Sequence, residues 1–179
     1  MLTSPEPEPP ERRRVLAAIV TGPAGDAIQA WREVHDPQQA HRLPPHATLC
    51  YGLPSEPAEI IDAQIRHAFL QPVSVRLGGV HEFNNRDGTF YVEVGDTDQL
   101  NAARQRLYDG HFLTLPGRFD FTWHVTCVRY PKNTERDALR IAARELEASI
   151  ANHPVWTIDT VASLELQDGI YFPFTTWTL

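Results

Sequence analysis

Basic side chains are scarce relative to acidic ones: 16 Lys and Arg stand against 23 Asp and Glu, for a formal net charge of −7. Gripping long nucleic acid through many phosphates requires a basic surface, so that class of function is excluded. A small nucleotide or an RNA end stays admissible, because one phosphate needs only a local cluster of donors. Cysteine is nearly absent as well. Cys50 and Cys127 are the only two, and both lie in strand-like apolar runs. They read as buried thiols in a reducing compartment rather than as a disulfide framework. No apolar stretch approaches the length of a membrane span. No apolar segment of signal-peptide type precedes the first strand, so the expected location is cytoplasmic. What remains is ordinary: 179 residues, 42% hydrophobic and 22% charged, enough for one domain with a real core.

Residues 1–11 are dominated by Pro and Glu and read as a disordered tail; residues 12–179 read as one domain. Val15–Val20 is an apolar run of strand length closed by Thr21-Gly22-Pro23. A helix is predicted from Ala24 to His35, with Ile28, Trp31 and Val34 on its inner face, stopped at Asp36-Pro37. A polar loop leads to a strand at His46–Tyr51. Ser55 and Pro57 mark the start of a helix carrying Ile60, Ile61, Ile65, Ala68 and Phe69. Strands follow at Val73–Leu77, Gly79–Phe83 and Phe90–Val94, the last two a hairpin around 84–88. Thr97 caps a helix to Asp109 with Leu100, Ala103 and Leu107 inward. After a loop at 110–120 comes a strand, Phe121–Tyr130. Thr134-x-x-Asp137 opens a helix bearing Ala138, Leu139, Ala142, Leu146 and Ile150. Strands at Trp156–Leu166 and Ile170–Thr178 flank a Gln167-Asp168-Gly169 turn. Hairpins mixed with helices indicate an α+β fold. Strand, helix, strand in one half and again in the other suggests two pseudo-symmetric lobes of antiparallel-rich sheet, helices on the outer faces and a cleft between.

Two of the predicted strands share a chemical pattern. His46-Ala47-Thr48 and His124-Val125-Thr126 each place a histidine and a threonine two residues apart, and residues i and i+2 of a strand point the same way. With eight histidines in the chain, about one His-x-[Ser/Thr] is expected by composition alone, so a single copy carries little information. The two copies share a context, each in an apolar strand reached by a loop and followed by a helix. Brought together, they supply two imidazoles and two hydroxyls around one small volume. One imidazole can act as base and the other as acid, while hydroxyls hold phosphate oxygens.

These residues, with Pro44-Pro45 ahead of the first motif and about eighty residues between the two, resemble the paired His-x-Thr motifs of the 2H phosphoesterase superfamily. That group includes 2′-5′ RNA ligase-like proteins and cyclic nucleotide phosphodiesterases. The resemblance covers nearly the whole chain after the tail. It implies a bilobal fold whose cleft is lined by the two motif strands. It also implies a metal-independent phosphodiesterase, without cofactor, acting on a 2′,3′-cyclic phosphate or a 2′-5′ phosphodiester of a small nucleotide or RNA end. His46 and His124 would be the acid–base pair, with Thr48 and Thr126 donating to the nonbridging oxygens. Either histidine could be the base. A nucleotide-binding module that uses the same cleft without turnover is the alternative.

Strand alternation puts Cys50 on the side of His46 and Thr48, with Tyr51 opposite. It puts Val128 and Tyr130 on the side of His124 and Thr126, with Cys127 opposite. Tyr171, Phe83 and Tyr130 are candidates for stacking on a base or ribose, and Arg42 or Arg118 for added positive charge. His35, His41 and His46 invite a metal reading, but no carboxylate-rich ligand pattern accompanies them, so no metal site is expected. Gly22-Pro23-Ala24-Gly25 lacks the core of a phosphate loop. A monomer suffices for this chemistry, and no membrane partner is expected.

Overall fold

The computed structural model describes residues 14–52, 57–84, 88–109, 122–129, 135–167 and 170–179. In chain order the elements are β1 (Arg14–Ile19), α1 (Gly22–His35), the short α2 (Pro37–Ala40), β2 (His46–Tyr51), α3 (Ala58–Ala68), β3 (Val73–Glu82), β4 (Phe90–Gly95), α4 (Asp98–Asp109), β5 (His124–Val128), α5 (Arg136–Ala151), β6 (Val155–Ile158), β7 (Thr160–Gln167) and β8 (Ile170–Thr178). The tail and the turns at 85–87 and 168–169 lie outside the described residues, as do the loop at 110–120 and the Thr134 cap.

The described strands form one sheet in the order β6-β3-β4-β5-β2-β1-β7-β8, with every neighbouring pair antiparallel. The α+β expectation holds. The order is balanced about the central pair: β5 is flanked by β4 and then β3, and β2 by β1 and then β7. The two motif strands are therefore immediate neighbours at the middle of the sheet.

Chain connectivity shows that this sheet is strongly curled. Only Asp159 separates β6 from β7, and two peptide steps reach at most about 7 Å. In a flat sheet those two strands, first and seventh in order, would lie about 30 Å apart. The β6 edge must turn back toward β7. Asp159 is tied down at that corner: its carboxylate accepts from Thr21 Oγ1 (3.0 and 3.2 Å) and Thr160 Oγ1 (2.8 Å), and its carbonyl from the Leu179 amide (2.8 Å). The single strand expected over Trp156–Leu166 is thus two strands on distant parts of the sheet.

The helices bury one face of the sheet in a single large core that includes Leu16, Ala18, Ala47, Leu49, Val92 and Val125 with Ile28, Ile65, Leu107 and Ile150. Burying each large aliphatic side chain contributes about 1.5–3 kcal/mol before ordering costs. Trp31 Nε1 donates to the Ala142 carbonyl at 3.1 Å, fastening α1 to α5. Arg106 donates twice to the Ala68 carbonyl (2.9 and 2.7 Å), fastening α4 to the end of α3. The opposite face carries only a small cluster of Val15, Ala17, Leu43, Ala162 and Leu164, against which Ile19 and Tyr171 pack. That face holds the candidate site.

Several side chains depart from the sequence pattern for geometric reasons. Val34 is 73% exposed whereas Arg32 is 3% exposed. At about 100° per residue, Arg32 lies about 40° around the helix from Ile28 and Val34 about 120° away. Ile60 and Ala138 likewise face solvent, one position off the buried rows of their helices. The break expected at Gly78-Gly79 is a bulge inside the continuous strand β3, between Leu77 and Val80. A Cβ on Gly78 would stand 3.3 Å from Glu93 Cβ, a tight contact across the bulge.

Candidate functional site

β2 and β5 pair antiparallel with Ala47 opposite Val125. Continued one residue either way, that register sets His46 across from Thr126 and Thr48 across from His124. In that register each histidine faces the threonine of the other motif with Cβ atoms about 5 Å apart, and the two histidines are diagonal neighbours about 7–8 Å apart. Ala47 and Val125 are fully buried beneath them. The site is a small square of two imidazoles and two hydroxyls on an apolar base.

Alternation ends one residue after each threonine, in the same manner on both strands. β1 pairs Ala17 with Thr48 and Leu16 with Cys50, leaving Leu49 as an extra residue. β4 pairs Tyr91 with Thr126 and Phe90 with Val128, leaving Cys127 extra. These are β-bulges, which shift the following side chains to the other face. Cys50 and Val128, expected on the site face, are therefore in the helix-covered core at 0% and 3% exposure. Tyr51 and Arg129 take their places and line the cleft with His46, Thr48 and Thr126.

Both imidazoles are oriented by the same local bond. His46 Nδ1 lies 2.9 Å from the Pro44 carbonyl and His124 Nδ1 lies 2.7 Å from the Thr122 carbonyl, each two residues upstream. A carbonyl can only accept, so Nδ1 carries the proton and Nε2 is left with its lone pair when the ring is neutral. The two rings differ in surroundings. Burial lowers the pKa of His46 from 6.5 to about 4; the Pro44 bond opposes this, and Arg32, Arg129 and His124 add to it. His124 is also lowered, again chiefly by burial, with the Thr122 bond opposing and Arg129 adding. Burial thus favours the neutral form of both rings. Across the neighbouring strands, His46 pairs with Ile19 and His124 with Glu93.

Two arginines give the cleft positive charge, and neither was a candidate in the sequence. Arg32 reaches it from α1 and Arg129 from the end of β5. Asp36 joins the two regions. Its Oδ2 accepts from the Arg129 amide at 3.1 Å and its Oδ1 from the Gln39 amide at 3.4 Å. An amide N–H at a basic residue just past a motif strand, held by an acidic helix cap, fixes where that strand ends.

Of the binding candidates, Tyr171 lines the cleft on the β8 side, beside Leu43 and Leu164. Phe83 stands next to the second motif. Its ring stacks on Tyr91 (centroids 4.0 Å apart) and meets His124 edge-on at 5.0 Å. Arg42 is not brought to this cleft; it lines a separate depression with Thr21, Asp26 and Gln29, because the short α2 turns it to the far side of the loop. Tyr130 and Arg118 lie outside the described residues. His35 packs on Trp31 (4.3 Å between centroids), and His41 lines the depression that holds Arg42. Among the described residues, no three His, Cys, Asp or Glu side chains gather where a metal ion could be held.

Comparison with known proteins bears on the whole chain. The family description "2'-5' RNA ligase superfamily" matches residues 20–169. A search of curated proteins gives no match. Among solved structures, E. coli LigT complexed with 3'-AMP is 17% identical, with a TM-score of 0.51 over 94% of this chain and 97% of that one. LigT in its apo form is 15% identical, with a TM-score of 0.51 over 93% and 96%. A conserved protein of unknown function from Agrobacterium tumefaciens is 14% identical, with a TM-score of 0.55 over 90% and 84%. Identities this low speak to the fold alone. The family match rests on sequence and spans both motif strands, and by it this chain belongs to the 2′-5′ RNA ligase superfamily.

Proposed function

We propose that this protein is a metal-independent phosphodiesterase that opens a 2′,3′-cyclic phosphate, or cleaves a 2′-5′ phosphodiester, on a small nucleotide or RNA end. The observation that carries the reading is the matched pair of imidazoles on adjacent strands. Each is fixed by an upstream carbonyl, leaving Nε2 for chemistry. Hydrolysis moves two protons. One Nε2 takes a proton from the attacking water as its oxygen bonds to phosphorus; the other imidazole, entering protonated, gives its proton to the ribose oxygen as the P–O bond breaks. A bound dianionic transition state favours the imidazolium, against the burial that disfavours it. Thr48 and Thr126 donate to the nonbridging oxygens, and Arg129 adds a charged donor. Tyr51, Tyr171 and Phe83 border the site as surfaces for a base or ribose.

The relative with the same fold that holds 3′-AMP supports a nucleotide ligand, and the net charge of −7 favours a small one over a long polymer. The unit we infer is residues 12–179 acting as a monomer, with buried free thiols at Cys50 and Cys127 suiting the reducing cytoplasm. No helix among the described residues is long and apolar enough to cross a membrane.

The test is turnover of the four 2′,3′-cyclic nucleotides with a chelator present, followed by phosphorus NMR to identify the monoester formed. Metal-independent hydrolysis is expected. Tight binding of nucleotide monophosphates with no turnover of cyclic nucleotides or 2′-5′ dinucleotides would select a binding module instead. Activity that vanishes with chelator and returns with a divalent ion would select a metal-dependent hydrolase.

A further inference from the structure

Arg32 is a buried cation that neither sequence pattern nor the proton transfers above require. It is 3% exposed. Its Nη1 donates to the Leu43 carbonyl at 2.8 Å and to Gln29 Oε1 at 3.2 Å, and its Nη2 to the Gln39 carbonyl at 3.3 Å. Gln29 in turn donates to the Ala40 carbonyl at 3.1 Å. Three carbonyls of the α2 segment are thereby held from the side of α1. The next residue after Leu43 is Pro44, whose carbonyl takes the His46 Nδ1 proton. Pro45 follows, its carbonyl accepting from the Val20 amide at 2.9 Å. Two consecutive prolines have φ locked by their rings, so the short stretch from Leu43 to His46 transmits position rather than absorbing it.

We infer that Arg32 is a positioning residue for His46: it clamps the segment 39–43 and so fixes the carbonyl that sets the tautomer and direction of that imidazole. Burying a guanidinium on neutral carbonyls is costly, and its forked donors are what lets one side chain span two carbonyls. Beside His124 the described anchor differs: Trp123 Nε1 donates to Asn101 Oδ1 at 2.7 Å, with the Arg104 guanidinium 5.5 Å from the Trp123 ring centroid. The titratable and charged groups facing this region are Arg32, Arg129 and His124 around His46, with Asp36 and the Cys127 thiol near Arg32.

The inference rests on the proposed role of His46 only for its kinetic consequence; the spectroscopic readout stands without any substrate. Nitrogen NMR of the imidazoles in the full chain, compared across wild type, Arg32→Met and Arg32→Lys, tests it. Wild-type His46 and His124 should both show the Nδ1–H tautomer at neutral pH. In Arg32→Met, His46 should move toward a mixture of tautomers while His124 keeps its signature, and kcat should fall roughly 10- to 100-fold. Arg32→Lys keeps the charge but gathers its donors on a single nitrogen and cannot span both carbonyls, so His46 should shift the same way by less. A folded Arg32→Met with an unchanged His46 spectrum overturns the inference. So does equal disturbance of both histidines, which marks a structural role only. If the Met variant does not fold, the Lys variant decides by the same criteria. If no phosphodiester is ever turned over, the functional proposal fails while the tautomer result still decides this one.

Discussion

His46 and His124 are chemically unequal despite their matched anchors, and the inequality has a pH signature. The folded state holds His46 near a pKa of about 4 against its ordinary 6.5, so between those values the unfolded chain binds more protons at this site than the native one. Stability contributed here is therefore complete above about pH 6.5 and declines as pH falls toward 4, by about 3 kcal/mol in all. Urea midpoints measured across that range should fall less steeply in His46→Asn than in wild type; parallel curves would contradict the desolvated imidazole. The histidines and threonines themselves were legible in the sequence because a two-residue spacing inside an apolar run states both the chemistry and the shared face. Arg32 was not legible. Its burial follows from helix α1 meeting the 39–43 segment, a tertiary circumstance that residue type argues against.

At the level of elements, the two bulges decide which side chains reach the cleft. Strict alternation gave the wrong face to Cys50 and Val128 because an extra residue reverses every side chain that follows. A signal was present: each motif threonine is followed by two apolar residues and then by Tyr51 or Arg129, a doublet that alternation alone does not produce. Two variants separate the faces. Val128→Ala should destabilise by roughly 1–3 kcal/mol through a core cavity with the site chemistry intact. Arg129→Gln should leave the melting temperature nearly unchanged while weakening inorganic phosphate binding about tenfold or more, as read by calorimetry. If Val128→Ala instead spares stability and removes phosphate binding, the bulge in β5 is misassigned. Helix and strand positions were otherwise readable from periodicity. The exceptions were α2, too short to show a period, the Gly78-Gly79 pair, which bulges within β3 instead of ending it, and the division at Asp159, where a continuous β pattern conceals a change of partner strand.

For the molecule as a whole, the curl of the sheet brings β6 and β7 together. No sequence period encodes that curvature; it follows from which strands pair. Asp159, bonded to Thr21, Thr160 and Leu179 at the crossing, ties the sheet corner to the start of α1. Its replacement by Ala should cost about 1 kcal/mol in thermal or urea unfolding, with turnover per folded molecule unchanged. A loss of activity without loss of stability would show that this corner shapes the cleft directly.

The most direct test of the two-histidine mechanism is kcat on a 2′,3′-cyclic nucleotide, with chelator present, for wild type, His46→Ala, His124→Ala and the double variant. Each single change should cut turnover by about 10²–10⁴-fold with the fold intact. The double variant should be little worse than either single one, since the pair acts as a unit. Near-wild-type turnover in either folded single variant would contradict the mechanism.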